Sequence, residues 1–329
     1  MEPIWQAELL LLEQMQQIPL WVIQFFKGVT FLGNESFYML LLPIFYWCIN
    51  MRLGYRFTLV LLLSNWINSI FKMLCHFPRP YWLSPDIKAY VSETSFGLPS
   101  GHSTNAASIW LFLANEYKKY KLLAAGFVSI MLLIMISRLF LGVHFFSDVI
   151  SGFLLGVILL VVIYAFEKRF SAKISTQSLT TKILLSISST IIFLFLGLLP
   201  ILINTFEVPS EWIRLSSQAT DGIIPTPFAA KTIITLGGVW LGMNIGYSLL
   251  LYKGHPMQTS GALWQHGLRL AIGLSVAILI RMGLSVLFDF ASGNLLLVFD
   301  FIRYAVLTFW IAYLAPMLFL KINLYKKTV

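Results

Sequence analysis

Apolar residues along this chain gather into runs approaching about twenty, the length that carries a helix across a bilayer core, set apart by short polar breaks. Such runs cover residues 35–50, 53–75, 103–117, 121–142, 147–167, 183–204, 231–252, 267–288 and 295–320, and each is read as one span; 35–50 and 103–117 are short. Ahead of them, residues 3–32 mix Leu9, Leu10, Leu12, Met15, Trp21, Phe25 and Phe26 with Gln and Glu at near-helical spacing. That pattern predicts one or two amphipathic helices lying on the membrane surface, broken at Gly33-Asn34. Two long connections stand out. Residues 76–102 are rich in Pro, Ser and aromatics, and residues 205–230 hold Pro209, Pro225 and Pro227 among Glu207, Glu211, Arg214 and Asp221. Loops of this length often carry function. The expected fold is all-α, a polytopic transmembrane helical bundle of about nine spans with an N-terminal interfacial amphipathic helix.

Composition agrees. Of 329 residues, 58% are apolar and 11% charged, and the mean hydropathy is +0.81. Soluble domains carry about a quarter charged residues. The net charge of +9 does not point to nucleic acid, because the basic residues lie mostly between apolar runs, where they set topology. With the N-terminus outside, the cytoplasmic connections receive Arg52, Arg56, Lys118, Lys119, Lys121, Lys168, Arg169, Lys173, Lys182, Lys253, Arg269 and the C-terminal lysines. The outer side receives only Lys27, Lys72, Arg79, Lys88, Arg138, Arg214 and Lys231. This bias places the C-terminus in the cytoplasm. The first apolar run lacks a basic front and a small-residue cleavage site, so no cleavable signal peptide is expected. Cys48 and Cys75 sit in or beside apolar segments and are read as small apolar fillers, giving neither a disulfide framework nor a metal-ligand pair.

Topology then brings the chemistry together. The end of span two, the start of span three, the end of span four and the start of span five meet at the outer face. There the chain carries Lys72, Arg79, Ser100, Gly101, His102, Arg138, His144 and Asp148. Two of these ends are helix N-termini, which favour an anion. Lys72, Arg79 and Arg138 can neutralise a phosphate, Arg bidentately and Lys as a point charge. His144 and Asp148 are four apart and share a helix face. Asp148 can therefore hold one ring nitrogen as N–H and aim the other as a nucleophile. His102, on the facing helix end, can protonate the leaving oxygen, which requires one histidine neutral and the other protonated. The outer carboxylates are too scattered for a two-metal hydrolase, so neither metal nor cofactor is expected.

These residues form three motifs: Lys72 through Arg79-Pro80, Pro99-Ser100-Gly101-His102, and Ser137-Arg138 through His144 and Asp148. They resemble the type 2 phosphatidic acid phosphatase superfamily, whose pattern is Lys-x6-Arg-Pro, Pro-Ser-Gly-His and Ser-Arg-x5-His-x3-Asp. The resemblance covers about residues 20–167. It implies a helical-bundle core and a phosphohistidine intermediate, with His144 as nucleophile, Asp148 as its orienter and His102 as general acid. Lys72, Arg79, Ser100, Gly101 and Arg138 would hold the phosphate. The chain departs from six-span bacterial members in its interfacial first segment and in four spans after residue 182. Gly33-Asn34-Glu35 through Pro43 and Trp47 is similar to the sphingosine-phosphate phosphatase and dolichyl diphosphatase branches, and about nine spans is similar to glucose-6-phosphatase. The implied parts are an interfacial region 1–34, a catalytic core 35–167, a cytoplasmic linker 168–182 and a four-span membrane region 183–329.

The expected activity is release of phosphate from a lipid phosphomonoester or diphosphate at the extracytoplasmic face, with membrane lipids as the surroundings and no nucleic-acid partner. The alternatives are a phosphatase of a soluble sugar phosphate and a catalytically silent lipid-phosphate binding or transport protein. His76, His255 and His266 are expected to be solvated or capped, because nothing near them in sequence completes a site. Asp300 and Arg303, three apart in the last span, are expected to pair, with Arg281 close by in span eight.

Overall fold

The computed structural model describes residues 3–252, 257–288 and 292–327. His255 and Lys253 lie outside them. The chain is helical: α1 (Pro3–Met15), α2 (Leu20–Phe31), α3 (Glu35–Pro43, continuing as a π turn Ile44–Ile49), α4 (Met51–Cys75), α5 (Gly101–Glu116), α6 (Lys121–Phe140), α7 (Phe146–Ser175), α8 (Leu179–Leu202), α9 (Ser210–Ala219), α10 (Ala230–Tyr252), α11 (Leu263–Leu287), α12 (Gly293–Phe309, continuing as a π turn Trp310–Leu314) and α13 (Ala315–Lys321). One two-residue antiparallel bridge joins Met257–Gln258 to Lys326–Lys327.

Among the described residues, seven helices are long and apolar enough to cross a membrane: α4, α6, α7, α8, α10, α11 and the run from α12 through α13. The sequence reading of about nine spans differs at two places. Residues 35–50 do not stand apart from the N-terminal segment: α2 and Glu35–Ile49 pass the same test only together, as a pair bent by 45°. Residues 103–117 form α5, of 16 residues, which rises only about 24 Å against a hydrocarbon core of about 30 Å.

Polar residues inside α5 explain its low hydrophobicity. Ser103, Thr104, Asn105 and Ser108 are all buried, and several bond to α4. The Ser64 hydroxyl donates to Asn105 Oδ1 at 2.7 Å, and the Asn68 amide donates to Thr104 Oγ1 at 3.0 Å and to the Pro99 carbonyl at 3.1 Å. Away from water such groups are costly unless paired, so this ladder fixes α5 against α4 in one register.

The chain divides into two compact units that interleave in sequence. The first is Met1–Tyr38, Leu63–Tyr164 and Leu199–Ala229; the second is Met39–Leu62, Ala165–Leu198 and Ala230–Val329. Within the first, Leu12, Ile23, Phe26, Tyr81, Trp82, Phe96, Leu141, Val143 and Phe145 form one buried apolar cluster, drawn mostly from α1, α2 and the connections, with Leu139 and Val149 added from the ends of α6 and α7. The 205–230 connection joins that cluster. Phe206 stacks on His76 at 4.5 Å, Trp212 lies 6.2 Å from Trp82, and the Thr226 N–H donates to the Thr94 carbonyl at 2.9 Å. His76 is therefore part of an aromatic cluster rather than a solvated residue.

In the second unit, Gly238, Gly242 and Gly246 of α10 let its backbone press on Phe301, Ala305 and Ala312, where any side chain would collide. Pro316 has no N–H, so the carbonyl of Ala312, four residues earlier, loses its helical donor. The Tyr46 hydroxyl supplies one at 2.9 Å, and Trp47 Nε1 donates to the neighbouring Ile311 carbonyl at 2.9 Å. Arg269 is fully buried. Its guanidinium donates to the carbonyls of Thr259, Leu324, Ser260 and Trp47, so it is a structural staple. His266 sits beside it, with Nε2 3.1 Å from the Gly261 carbonyl. Asp300 and Arg303 pair as their spacing predicts, and Lys231 adds a second cation 3.5 Å from Asp300.

Candidate active site

All eight residues singled out in the sequence lie in the first unit. The α5 end is built by Ser100, a buried N-cap whose hydroxyl accepts from the Ser103 N–H. The Ser100 N–H in turn donates to the carbonyl of Asp148 at 2.9 Å, tying the start of α5 to the first turn of α7. Two glycines make that approach possible. A side chain on Gly152 would come within 2.6 Å of the Ser100 carbonyl oxygen, and one on Gly156 within 2.6 Å of the Thr104 carbonyl oxygen. Such a small-xxx-small stripe lets two membrane helices pack backbone to backbone. A side chain at Gly101 would lie 3.2 Å from Asn68 Oδ1 and 3.9 Å from Lys72 Cε, which places the α5 N-terminus over Lys72.

His144 is buried between a cation and an anion. Its Nδ1 lies 3.1 Å from Asp148 Oδ2, an oxygen that also accepts the Phe145 N–H at 3.0 Å. Its Nε2 lies 3.1 Å from Arg79 Nη1. A guanidinium can only donate, so Nε2 must offer a lone pair and Nδ1 must carry the proton toward Asp148. Burial, followed by the charges of Arg79, Lys72 and Arg138, holds the imidazole well below its ordinary pKa. The neutral form with Nε2 unprotonated is the form that can attack phosphorus.

Arg79 is held on every side. Its Nε donates to the Ser95 carbonyl at 2.6 Å, Nη1 to the Val143 carbonyl at 2.9 Å, and Nη2 to Ser95 Oγ at 3.1 Å. Lys72 donates to the carbonyls of Phe96 and Gly97. Arg138 donates through Nη1 to the Thr30 hydroxyl at 2.6 Å and through Nη2 to Glu93 Oε1 at 2.5 Å. His102 places Nε2 2.8 Å from Asn34 Oδ1 and 3.5 Å from Arg138 Nη1.

Three residues here escaped the sequence reading. Thr30 and Asn34 come from the bend between α2 and α3, and Glu93 comes from the 76–102 connection. Burial would raise the Glu93 carboxyl, but Arg79, Arg138, His102 and Lys72 outweigh it and pull it down to about 2. The available signal was an acid in an aromatic loop between the Lys72 to Arg79-Pro80 motif and Pro99-Ser100-Gly101-His102. From the N-terminal side, Glu8 of α1 accepts from the Ser147 N–H at 3.3 Å, at the start of α7. Among the described residues, no group of three or more His, Cys, Asp or Glu is arranged to hold a metal ion. The arrangement offers an aimed imidazole, a second imidazole, three buried cations and a helix N-terminus, the parts needed to bind a phosphoryl group and transfer it.

Residues 54–172 match the family model described as PAP2 superfamily, and residues 234–327 match PAP2 superfamily phosphatase, transmembrane extension. Phosphatidylglycerophosphatase B of Bacillus subtilis is 34% identical over 173 residues, covering 46% of this chain and 80% of that protein. Glucose-6-phosphatase catalytic subunit 1 of Felis catus is 26% identical over 241 residues, covering 64% of this chain and 66% of that protein. Sphingosine-1-phosphate phosphatase 1 of Mus musculus is 33% identical over 141 residues, covering 41% of this chain and 33% of that protein. A crystal structure of a transmembrane PAP2-type phosphatidylglycerolphosphate phosphatase from Bacillus subtilis aligns with a TM-score of 0.45 and 28% identity, over 51% of this chain and 89% of that one. By its motifs, its family-model matches and the bacterial relative that it covers for most of its length, this chain belongs to the PAP2 superfamily and is a multi-pass membrane phosphatase.

Proposed function

We propose that the protein is a lipid-phosphate phosphatase that works through a phosphohistidine at His144, without a metal, at the extracytoplasmic face of its membrane. The observation that carries this reading is the pair of bonds on His144: Asp148 takes its Nδ1 and Arg79 faces its Nε2 lone pair, each at 3.1 Å. In the first step Nε2 attacks phosphorus in line with the leaving oxygen. The P–O bond to the alcohol breaks, and His102 protonates that oxygen, so that alcohol departs and phosphate stays on His144. Water then attacks phosphorus, His102 takes its proton, and the P–N bond breaks to release inorganic phosphate. Arg79, Arg138, Lys72, the Ser100 hydroxyl and the Gly101 N–H carry the charge on the equatorial oxygens. Asp148 stabilises the imidazolium character that builds on His144 as it is phosphorylated.

The lipid reading draws on the printed names of the bacterial and sphingosine-phosphate relatives, and on the site's place at the ends of spans, where a headgroup lies. Placement on the outer face follows from the excess of basic residues in the opposite connections. In this reading residues 35–167 are the catalytic core, 1–34 an interfacial region, 168–182 a cytoplasmic linker and 183–329 an added membrane region. A second reading has its own support: the glucose-6-phosphatase match extends over 64% of the chain. One panel separates the two. Purified protein in detergent, with a chelator present, is given sphingosine 1-phosphate, phosphatidylglycerophosphate, phosphatidic acid, a polyprenyl diphosphate and glucose 6-phosphate at equal concentration. The lipid reading expects release from a lipid and little from the sugar. Release from glucose 6-phosphate alone overturns it in favour of the sugar phosphatase, and no release from any points to a binding or transport protein.

A further inference from the structure

We propose that the Glu93 carboxylate is a resident counter-anion of the phosphate cradle: it holds Arg138, Arg79 and His102 in place and is displaced by the substrate's phosphoryl group. The inference rests on the phosphatase reading above. Its basis is how the carboxylate divides its oxygens. Oε1 lies 2.5 Å from Arg138 Nη2 and 4.0 Å from His102 Nδ1, while Oε2 lies 3.8 Å from Arg79 Nη2. Three groups that a phosphoryl group would engage are thus turned toward one side-chain anion. A phosphate dianion and a carboxylate cannot share them at such range, because two anions a few ångströms apart in a low-dielectric site repel strongly.

The geometry also says which partner moves. Arg79 and Arg138 have side chains only 1% exposed, whereas that of Glu93 is 27% exposed. The backbone under Glu93 is pinned: its carbonyl accepts the Tyr81 hydroxyl at 2.8 Å, and the Thr94 carbonyl accepts the Thr226 N–H at 2.9 Å. Displacement therefore needs only rotation of the Glu93 side chain toward solvent, with the loop left in place. The carboxylate neutralises cations that would otherwise repel one another, so the cradle stays assembled between turnovers. It also competes with the product, so inorganic phosphate is expelled as the carboxylate returns. Glu93 is in this sense a positioning residue that sets phosphate affinity.

The test is the affinity for orthovanadate and inorganic phosphate, measured as inhibition of turnover and by direct binding, in wild type, Glu93→Gln and Glu93→Asp. Glu93→Gln removes the competing charge. It should bind both anions on the order of tenfold more tightly, as expected when a competing state that dominates the population is removed, and KM should fall with them. Glu93→Asp keeps the charge and should stay within about threefold of wild type. Equal or weaker binding by a folded Glu93→Gln overturns the proposal, because a purely structural Glu93 would weaken the site when lost. If Glu93→Gln does not fold, the wild type decides. Saturating inorganic phosphate should raise labelling of Glu93 by a water-soluble carbodiimide and an amine, read by mass spectrometry; protection or no change overturns the proposal. A wild type that binds vanadate but fails these tests overturns only the role of Glu93. One that binds no vanadate and releases no phosphate overturns the phosphatase reading, and this proposal with it.

Discussion

His144 and Asp148, one turn apart, are joined Nδ1 to Oδ2 at 3.1 Å, and the same carboxylate oxygen takes the Phe145 N–H at 3.0 Å. The backbone bond fixes the carboxylate, and the carboxylate fixes the ring. Asp148→Asn would keep the shape and lose the charge that stabilises a phosphorylated imidazole. By analogy with the same change in a Ser-His-Asp triad, kcat should fall on the order of 10³-fold or more, with KM far less affected. Steady-state kinetics on the panel substrate checks it, and a kcat within about threefold of wild type would remove Asp148 from the mechanism.

The general-acid role proposed for His102 has a distinct signature. A leaving group that departs readily as an anion does not need a proton. His102→Ala should therefore cost on the order of 10²-fold or more with an alkyl phosphate and much less with an aryl phosphate of low leaving-group pKa. Equal losses on both would assign His102 to binding alone. Asn34→Leu, which removes the polar partner 2.8 Å from His102 Nε2, should move the two substrates apart in the same sense by a smaller amount.

The contact of α5 with α7 depends on Gly152 and Gly156, where a side chain would meet carbonyl oxygens at 2.6 Å. Backbone cannot step aside as a flexible side chain can. Gly156→Leu should lower the thermal midpoint by several degrees or more, as overpacking at a tight contact does. Ile158→Leu, two residues on and exposed toward lipid, should change it little. A Gly156→Leu protein as stable as wild type would contradict the packing described.

Much of this site was legible in the sequence because its parts sit at helix ends, and helix ends are marked by where apolar runs stop. Lys72, Arg79, His102, Arg138, His144 and Asp148 all stand at or beside such ends. Thr30, Asn34 and Glu93 could not be picked out, since nothing local distinguishes them from ordinary capping and loop residues. Their roles come from long-range packing, with Thr30 on Arg138 and Asn34 on His102. The partners of Arg269 were hidden for a similar reason. A basic residue near a span end reads as a topology signal, and only the folded chain reveals the carbonyls of Thr259 and Leu324 gathered around it. The shortness of α5 was visible as a run of polar residues, but not the α4 amides that satisfy them.

Glu93 gives stability a pH dependence with a definite sign. Its carboxyl stands at about 2 in the folded protein, below the unfolded value of about 4.3. A depressed carboxylate contributes stability that is complete above the unfolded value and is lost as pH falls through the folded one. The difference in thermal midpoint between wild type and Glu93→Gln should be constant from neutrality down to about pH 5.5 and shrink between about 4.3 and about 2. A difference that grows on acidification would contradict the assignment of Glu93 as the anion among Arg79, Arg138 and His102.

The measurement that bears most directly on the central claim is capture of the covalent intermediate. The protein is mixed with its best substrate, quenched within a turnover into alkaline denaturant, where phosphohistidine survives, and digested for mass spectrometry. The expected result is phosphate on the peptide containing His144, with neither adduct nor phosphate release from His144→Ala. Turnover by the wild type with no adduct on His144, or substantial release by His144→Ala, would contradict it.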